Sequence, residues 1–158
     1  MNADETVMEF YPATLNRRQS DALAMRCRRS MDEDGFGLYA VEVKSTRDFI
    51  GYVGFAKAEF AAAFTPAVEI GWRLAFRSWG NGYATETAKA CVAHGFSELG
   101  FDELVSFTTR RNRRSIAVME RIGMSRNPED DFEHPELPVG HKLRPHVLYR
   151  IKKARAGT

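Results

Sequence analysis

A strand that runs into a glycine-rich turn and then a helix is the feature that most constrains this chain. Residues 68–74 form a strand-like run, residues 79–84 read Trp-Gly-Asn-Gly-Tyr-Ala, and residues 85–99 have a helical pattern. Glycines in such a turn let the backbone approach a ligand closely, and free N–H groups at a helix start attract anions. Two interpretations remain open here: a phosphate or pyrophosphate site, or a tight turn in which Gly80 and Gly82 serve only the backbone geometry.

The periodicity of apolar residues divides the rest of the chain into helices and strands. Helices are predicted over residues 15–31 and 84–99, and as a short segment that Asn112 caps and that ends before Gly123. Strands are predicted over residues 38–44, 49–55, 68–74, 104–109 and 146–152. Thr14 is expected to cap the first helix, and residues 32–35 to form a turn after it. This order of elements predicts an α+β fold with a mixed sheet.

The length of 158 residues and the hydrophobic content of 44% suit one domain with a sizeable core. We therefore predict a single domain over residues 1–158. Within it we expect an irregular start over residues 1–14, a long loop over residues 127–145 with its four prolines, and a tail over residues 153–158. Phe60 and Phe64, which follow the second strand, are expected to line a pocket.

Charge and composition argue against several classes of protein. The net charge of +2 gives no sign of a polyanionic partner, and no aromatic residues are interleaved, so the arginines of the first helix are read as a solvated face rather than a nucleic-acid site. No apolar run is long enough to span a membrane, and Cys27 and Cys91 read as reduced thiols, so we expect a cytoplasmic protein. The spacing of His134, His141 and His146 fits no compact metal site, which favours structural or substrate-contacting roles.

Four motifs in register carry a resemblance to a known family. They are residues 69–74 (Glu-Ile-Gly-Trp-Arg-Leu), 79–86 (Trp-Gly-Asn-Gly-Tyr-Ala-Thr-Glu), 112–115 (Asn-Arg-Arg-Ser) and 119–124 (Met-Glu-Arg-Ile-Gly-Met). From about Phe36 onward the chain resembles the GNAT superfamily of acetyl-CoA-dependent N-acetyltransferases, most closely the branch that acetylates ribosomal-protein N-termini. The resemblance implies a mixed, mostly antiparallel sheet flanked by helices, whose central strands splay apart to admit acetyl-CoA.

The family's cofactor signature fits the chain in two registers. One begins at Arg77 and ends at Gly82; the other begins at Trp79 and ends at Ala84, and we prefer the second. Arg73 or Arg77 could meet phosphate charge or lie on the surface. The resemblance implies that acetyl-CoA is bound by Trp72, Leu74, Trp79, Gly80, Asn81, Gly82, Tyr83, Ala84, Thr85, Asn112 and Ser115.

Two departures from the family concern the leaving group and the start of the chain. Many members carry a tyrosine, as general acid toward the thiolate, where this chain has Met119. Three alternatives remain open: Ser115 donates the proton, water donates it, or no donor is needed because a thiolate is a tolerable leaving group. Relatives also carry a strand and much of a helix before the equivalent of Met1, and this segment is missing from the present sequence. Either the start codon was assigned too late or this is a shortened form. An uncovered sheet edge would favour pairing with a second copy of the chain as a homodimer.

Amine acetylation needs a base that removes a proton from the attacking nitrogen. Glu69, on the strand beside the expected thioester, is the first candidate for the base, and Glu59 is a weaker one. The alternative for Glu69 is a sheet-face carboxylate paired with an arginine. We also expect acids of the long loop to border the acceptor pocket and favour a cationic amine, unless they are simply solvated. These acids are Glu129, Asp130, Asp131, Glu133 and Glu136.

Together these residues predict an acetyl-CoA-dependent N-acetyltransferase that acts by direct attack in a ternary complex. A direct route is favoured because no cysteine is well placed as a nucleophile. The acceptor is expected to be a small-molecule amine or a protein N-terminus, with neither nucleic acid nor membrane as a partner. The alternative is a non-catalytic module that binds acyl-CoA.

Overall fold

The computed structural model describes residues 1–154, so residues 155–158 of the expected tail lie outside the described part of the chain. The helices are α1 (Arg17–Asp34), α2 (Tyr83–Ser97) and α3 (Arg113–Arg121). The strands are β1 (Leu38–Glu42), β2 (Phe49–Ala58), β3 (Ala67–Leu74), β4 (Glu103–Thr109), β5 (Ser125–Arg126), β6 (Phe132–Glu133) and β7 (Pro145–Lys152). The predicted mixed sheet with flanking helices is confirmed.

The seven strands form one sheet in the order β1-β2-β3-β4-β7-β5, and β6 also pairs with β7. All neighbours are antiparallel except β3 and β4, which run parallel. Within residues 1–154, β3 and β4 share a single register pair, Glu69 with Val105. The two central strands therefore separate toward the carboxyl end of β3, and the predicted splay is confirmed.

The core lies between this sheet and helices α2 and α3. Ile70 of β3 and Leu104 of β4 are fully buried, as is Ala88 of α2. On β2, Val53 and Phe55 are each only 1% exposed. This packing fixes β3 on one side and α2 on the other, so the turn between them is held by the core.

The first helix differs from its predicted bounds at both ends. Asn16, not Thr14, is the N-cap: its side chain accepts from the Gln19 N–H at 2.9 Å, and the Gln19 side chain accepts from the Asn16 N–H at 2.9 Å. This reciprocal capping box satisfies two N–H groups that a cap at Thr14 would leave unpaired. The helix also continues to Asp34 and ends at the left-handed Gly35, so the predicted turn over residues 32–35 is wrong.

Two segments that the sequence marks as irregular are packed against the rest of the protein. The first fourteen residues form turns, yet Val7 and Met8 are only 7% and 4% exposed. The long loop before β7 contains a 3₁₀ turn (Pro128–Asp130) and the short strand β6. Both segments contribute side chains to the site described next.

Candidate functional site

The gap between β3 and β4 opens into two adjacent cavities. The larger, which we call the cleft, has a volume of about 960 Å³ and lies against the glycine turn and the start of α2. The smaller, which we call the chamber, has a volume of about 410 Å³ and is lined by Glu69. Both volumes fall in the range of small-molecule sites. The two cavities share a wall formed by Phe10, Tyr11, Trp72, Asn112 and Ser115.

The glycine turn keeps one end of the cleft open to the backbone. Gly80 and Gly82 both have a φ of 79°, a left-handed conformation that other residues rarely adopt. A Cβ atom at either position would meet no atom within 4 Å, so the space beside both glycines is free. α2 then begins without a capping side chain, whereas Asn16 and Asn112 cap α1 and α3. The first N–H groups of α2 therefore have no side-chain acceptor. They are available to bind an anion in the cleft.

Basic side chains line the cleft, namely Arg73, Lys89, Arg113, Arg114 and Arg121. Arg73 donates from Nη1 to Asn2 Oδ1 at 3.0 Å, while its buried Nε has no hydrogen-bond partner among the described residues. Arg77 is exposed and lies outside the cleft lining, with its Nη2 3.4 Å from the Phe49 carbonyl oxygen. The charge of the cleft suits a polyanionic ligand, and Arg73 rather than Arg77 is placed to meet it.

The unpaired edge of β3 forms a second wall of the cleft. The Ala75 N–H donates to the Ile50 carbonyl of β2 at 2.8 Å. Because main-chain groups of successive strand residues point to opposite edges, those of Leu74 and Trp72 point into the gap. The Leu74 carbonyl accepts from the Trp79 indole Nε1 at 2.9 Å, which ties the turn to the end of the strand. Trp72 is therefore the position where an extended ligand can pair with β3 most freely.

Ten of the eleven residues that the sequence associates with the cofactor line the cleft. They are Trp72, Leu74, Trp79, Gly80, Gly82, Tyr83, Ala84, Thr85, Asn112 and Ser115. The exception is Asn81, whose side-chain amide donates to the carbonyl oxygens of Ser78 and Trp79 at 3.3 and 3.1 Å. Asn81 therefore stabilises the turn from within instead of facing the cleft.

Asn112 holds Ser115 at the boundary between the two cavities. Asn112 Oδ1 accepts from the Ser115 N–H at 3.2 Å, and its Nδ2 donates to Ser115 Oγ at 3.1 Å and to Thr108 Oγ1 at 3.0 Å. Both donors of the amide are thus used within the protein, so Asn112 has a positioning role. Since the Ser115 hydroxyl oxygen is an acceptor in this network, its own hydrogen is free to donate into the cavities.

Glu69 contributes a carboxyl group to the lining of the chamber. It is only partly exposed, and burial raises the pKa of its carboxyl to about 8. Among the ion pairs of residues 1–154, none involves Glu69, so the alternative of a sheet-face carboxylate held by an arginine is wrong. Glu59 is exposed and lies outside the chamber lining. The chamber therefore holds a carboxyl that changes its charge near neutral pH.

The rest of the chamber comes from segments with no local sequence signal for a site. Its apolar wall is formed by Phe10, Tyr11, Pro12, Phe107, Met119 and Leu137, and its polar wall includes His134, Glu136 and His146. Met119 is 1% exposed. Phe60 and Phe64 were expected to line a pocket, but they pack behind the chamber, with ring centroids 5.5 and 5.9 Å from that of Phe107.

Most acids of the long loop are paired with arginines and lie outside the chamber lining. Asp130 accepts from Arg150 Nε at 3.1 Å, and Asp131 accepts from Arg126 Nε at 2.9 Å. Glu133 pairs with Arg144 at 3.2 Å. The prediction that these acids favour a cationic acceptor is therefore wrong for all of them except Glu136, the one loop acid in the chamber lining. The sequence gives no sign that Arg126, Arg144 and Arg150 pair with these acids.

Replacing Asp131 with asparagine is expected to lower the free energy of unfolding by about 1–3 kcal/mol, because a buried charge-assisted hydrogen bond is lost. The Asp131 side chain is 6% exposed, and its hydrogen bond from Arg126 holds the pKa of that carboxyl below its ordinary value. Such a group contributes stability above its unfolded-state pKa and loses it as the pH falls through the folded-state pKa. The difference in the free energy of unfolding between wild type and Asp131→Asn should therefore disappear in acid. Urea denaturation across a pH series would measure it.

Asp21→Asn is the matched control for this substitution. Asp21 pairs with Arg17 at 3.0 Å, but the two side chains are 59% and 91% exposed. Its loss should change the free energy of unfolding by less than about 0.5 kcal/mol. Equal effects of the two variants would contradict the anchoring role of Asp131.

Within residues 1–154, no group of three or more His, Cys, Asp and Glu side chains is arranged to hold a metal ion. No helix in the same part of the chain has both the length and the apolar character needed to cross a membrane.

Comparisons with known proteins identify relatives in sequence. A family model described as an acetyltransferase (GNAT) domain matches residues 1–125. The uncharacterized protein YkkB of Bacillus subtilis is 35% identical over 121 residues, which are 77% of this chain and 69% of that protein.

Solved structures show the same fold. An acetyltransferase of the GNAT family from Bacillus anthracis has a TM-score of 0.77 at 24% identity, and covers 96% of this chain and 84% of its own. Spermidine N-acetyltransferase from Vibrio cholerae, solved in complex with CoA and spermine, has a TM-score of 0.72 at 14% identity. That comparison covers 96% of this chain and 85% of the Vibrio chain.

Proposed function

Because the chain belongs to the GNAT acetyltransferase family, we propose that it transfers the acetyl group of acetyl-CoA directly to a primary amine held in the chamber. Acetyl-CoA is the acetyl donor of this family, so membership indicates an acetyl-CoA-dependent acyltransferase. The observation that carries the proposal is the shared wall of the two cavities. Ser115 and Trp72 lie on that wall, between the uncapped start of α2 and the Glu69 carboxyl.

The cleft supports an extended position for acetyl-CoA. We place the pyrophosphate at Gly80, Gly82 and the first N–H groups of α2, where the backbone can approach it and the helix dipole attracts negative charge. The pantetheine arm then pairs with the free edge of β3 at Trp72, which leads the thioester to the boundary near Ser115. The basic side chains that line the cleft add charge complementary to the phosphates.

The chamber supports the chemistry of the transfer. The amine nitrogen attacks the thioester carbonyl, a C–N bond forms, the C–S bond breaks, and the nitrogen loses a proton. We assign that proton to Glu69, which acts as general base in its ionised form. The Ser115 hydroxyl donates a hydrogen bond toward the leaving thiolate or the oxyanion, because its hydrogen is not used by Asn112. With a pKa of about 8 for Glu69, the rate should rise with pH through that value.

The chamber favours a small amine as the acceptor. Its volume is about 410 Å³, and Phe10, Tyr11 and Pro12 form part of its apolar wall. Glu136 supplies a carboxylate that can attract the ammonium group. A protein N-terminus remains the other acceptor class, and the likeness to acetyltransferases of ribosomal proteins stays a prediction. So do the cytoplasmic location and the homodimer.

Release of the CoA thiol tests the proposal. Acetyl-CoA should raise the melting temperature, since a ligand that binds only the folded state stabilises it, whereas ATP should not. Free CoA thiol should then appear only when a primary amine is added, in a panel of aromatic amines, polyamines, amino acids and short peptides. Stabilisation by acetyl-CoA without release of CoA in the presence of any of these amines would favour the non-catalytic acyl-CoA module. Met119, in the place of a tyrosine, also favours that module.

A further inference from the structure

His146 lines the chamber and carries a nitrogen whose lone pair is not used by the protein. Its Nδ1 lies 2.9 Å from the Arg144 carbonyl oxygen. A carbonyl oxygen can only accept, so Nδ1 must carry the hydrogen of this bond. Neutral imidazole has one N–H, and Nε2 is therefore the unprotonated nitrogen. No hydrogen bond to Nε2 occurs among residues 1–154.

The strand registers place His146 on the same face of the sheet as Glu69. Glu69 pairs with Val105, and His146 pairs with Thr109. Paired residues share a face, and so do residues two positions apart along a strand. Val105, Phe107 and Thr109 therefore mark one face of β4, on which both Glu69 and His146 lie. The chamber is lined by both of them and by Phe107 between them in register.

The surroundings of His146 keep its ring neutral. Burial is the main cause that lowers its pKa, the neighbouring His134 lowers it further, and the bond to Arg144 and the charge of Glu133 act in the opposite direction. The His134 ring lies 5.0 Å away, and burial also lowers the pKa of His134. The other titratable groups that line the chamber are Tyr11, Glu136 and Glu69.

Glu69 and His146 are thus in complementary states near neutral pH. With a pKa of about 8, Glu69 is protonated by about ten to one at pH 7. His146 has a lone pair at the same pH. The acceptor amine arrives mostly as an ammonium ion, because ordinary alkylamines have a pKa near 10, so two protons must leave its nitrogen during the reaction.

We propose that His146 is a catalytic residue, whose Nε2 takes the first of these protons directly from the acceptor ammonium ion. This inference rests on the proposed function. In the step, an N–H bond of the ammonium breaks, an N–H bond to Nε2 forms, and the amine recovers the electron pair with which it attacks the thioester carbonyl. Glu69 in its ionised form, which is the minor form at pH 7, takes the second proton as the C–N bond forms and later returns it to solvent. The thiolate leaves with a hydrogen bond from Ser115 or water, and the imidazolium returns its proton to solvent.

His146→Asn is the sharpest variant for a test. The asparagine amide can still donate to the Arg144 carbonyl, as Nδ1 does, but it has no group at the position of Nε2. We expect kcat/KM for the amine to fall about a hundredfold at pH 7. The deficit should shrink toward pH 9–10, where the free amine is abundant, and the stabilisation by acetyl-CoA should not change. His141→Asn is the matched control, since His141 accepts from the Leu143 N–H at 3.2 Å and lies outside the chamber lining.

Two results would overturn the proposal. One is a kcat/KM of His146→Asn at pH 7 equal to that of an active wild-type protein, or a loss of kcat/KM that is the same at every pH, as a purely structural role would give. The other is an imidazole ¹⁵N spectrum in which His146 Nε2 carries the hydrogen at pH 7. A wild-type protein that releases no CoA with any amine would refute the proposed function and this step together. An active wild-type protein with an unaffected His146→Asn variant would refute only the role of His146.

Discussion

Gly82→Val is expected to abolish the stabilisation of the protein by acetyl-CoA. Wild type at a ligand concentration of about 100 times Kd should gain about 2.7 kcal/mol. A valine side chain at Gly82 would occupy the free space that the pyrophosphate needs, and the φ of 79° would no longer suit the residue. The melting temperature of the variant, measured across an acetyl-CoA series, should therefore be independent of ligand.

The strain of the substitution must be separated from its effect on the ligand. Gly140→Val is the matched control, because Gly140 has a φ of 80°, no atom within 4 Å of an added Cβ, and no place in the lining of either cavity. Both variants should melt lower than wild type without ligand. Only Gly140→Val should still respond to acetyl-CoA. A folded Gly82→Val protein with a normal response would refute the position of the pyrophosphate.

Glu69→Gln is expected to lower kcat about a hundredfold at the pH where the wild type is most active. The raised pKa of about 8 means that the basic form of Glu69 becomes populated only as the pH rises through that value. The wild-type profile should therefore gain activity through pH 8, and the variant should lack this rise. The ratio of wild type to variant grows with pH, which is the opposite of the trend expected for His146→Asn.

Glu59→Gln serves as the control for Glu69→Gln, because Glu59 is exposed and outside the chamber lining. Its kcat should match that of the wild type. Both variants should keep the full response to acetyl-CoA, since neither residue lines the cleft. If Glu69→Gln kept the wild-type height and the same rise near pH 8, Glu69 would have no part in proton transfer.

The cleft was predictable from sequence because its parts are local. The turn, the start of α2 and the Asn112 cap each consist of residues close together in the chain. Their residue types indicate their backbone roles, since glycines are typical of the turn and asparagine of the N-cap. Asn81 is the instructive exception. Its amide reaches back to Ser78 and Trp79, and the sequence has no means of distinguishing an amide that faces the ligand from one that supports the turn.

The chamber was predictable only at Glu69 and at the wall it shares with the cleft (Trp72, Asn112 and Ser115), because its other walls are brought together by tertiary structure. The segment of Phe10 to Pro12 has no periodicity, and His146 acquires its free nitrogen only through the bond to Arg144. The loop acids failed as a prediction for the same reason. Asp131 meets Arg110 and Arg126 in the folded protein, and those pairs neutralise a charge that composition alone counts as free.

In the proposed reaction, an amine in the chamber attacks acetyl-CoA in the cleft directly. The most direct measurement incubates the protein with acetyl-CoA and follows both CoA thiol release and the intact mass of the protein, with and without a primary amine. Direct transfer predicts amine-dependent CoA release, an acetylated amine in equal amount, and no acetyl group on the protein when the amine is absent. A protein that gains about 42 Da from acetyl-CoA alone, as an acetyl group replaces one hydrogen, and passes that acetyl group to the amine afterwards would contradict direct transfer.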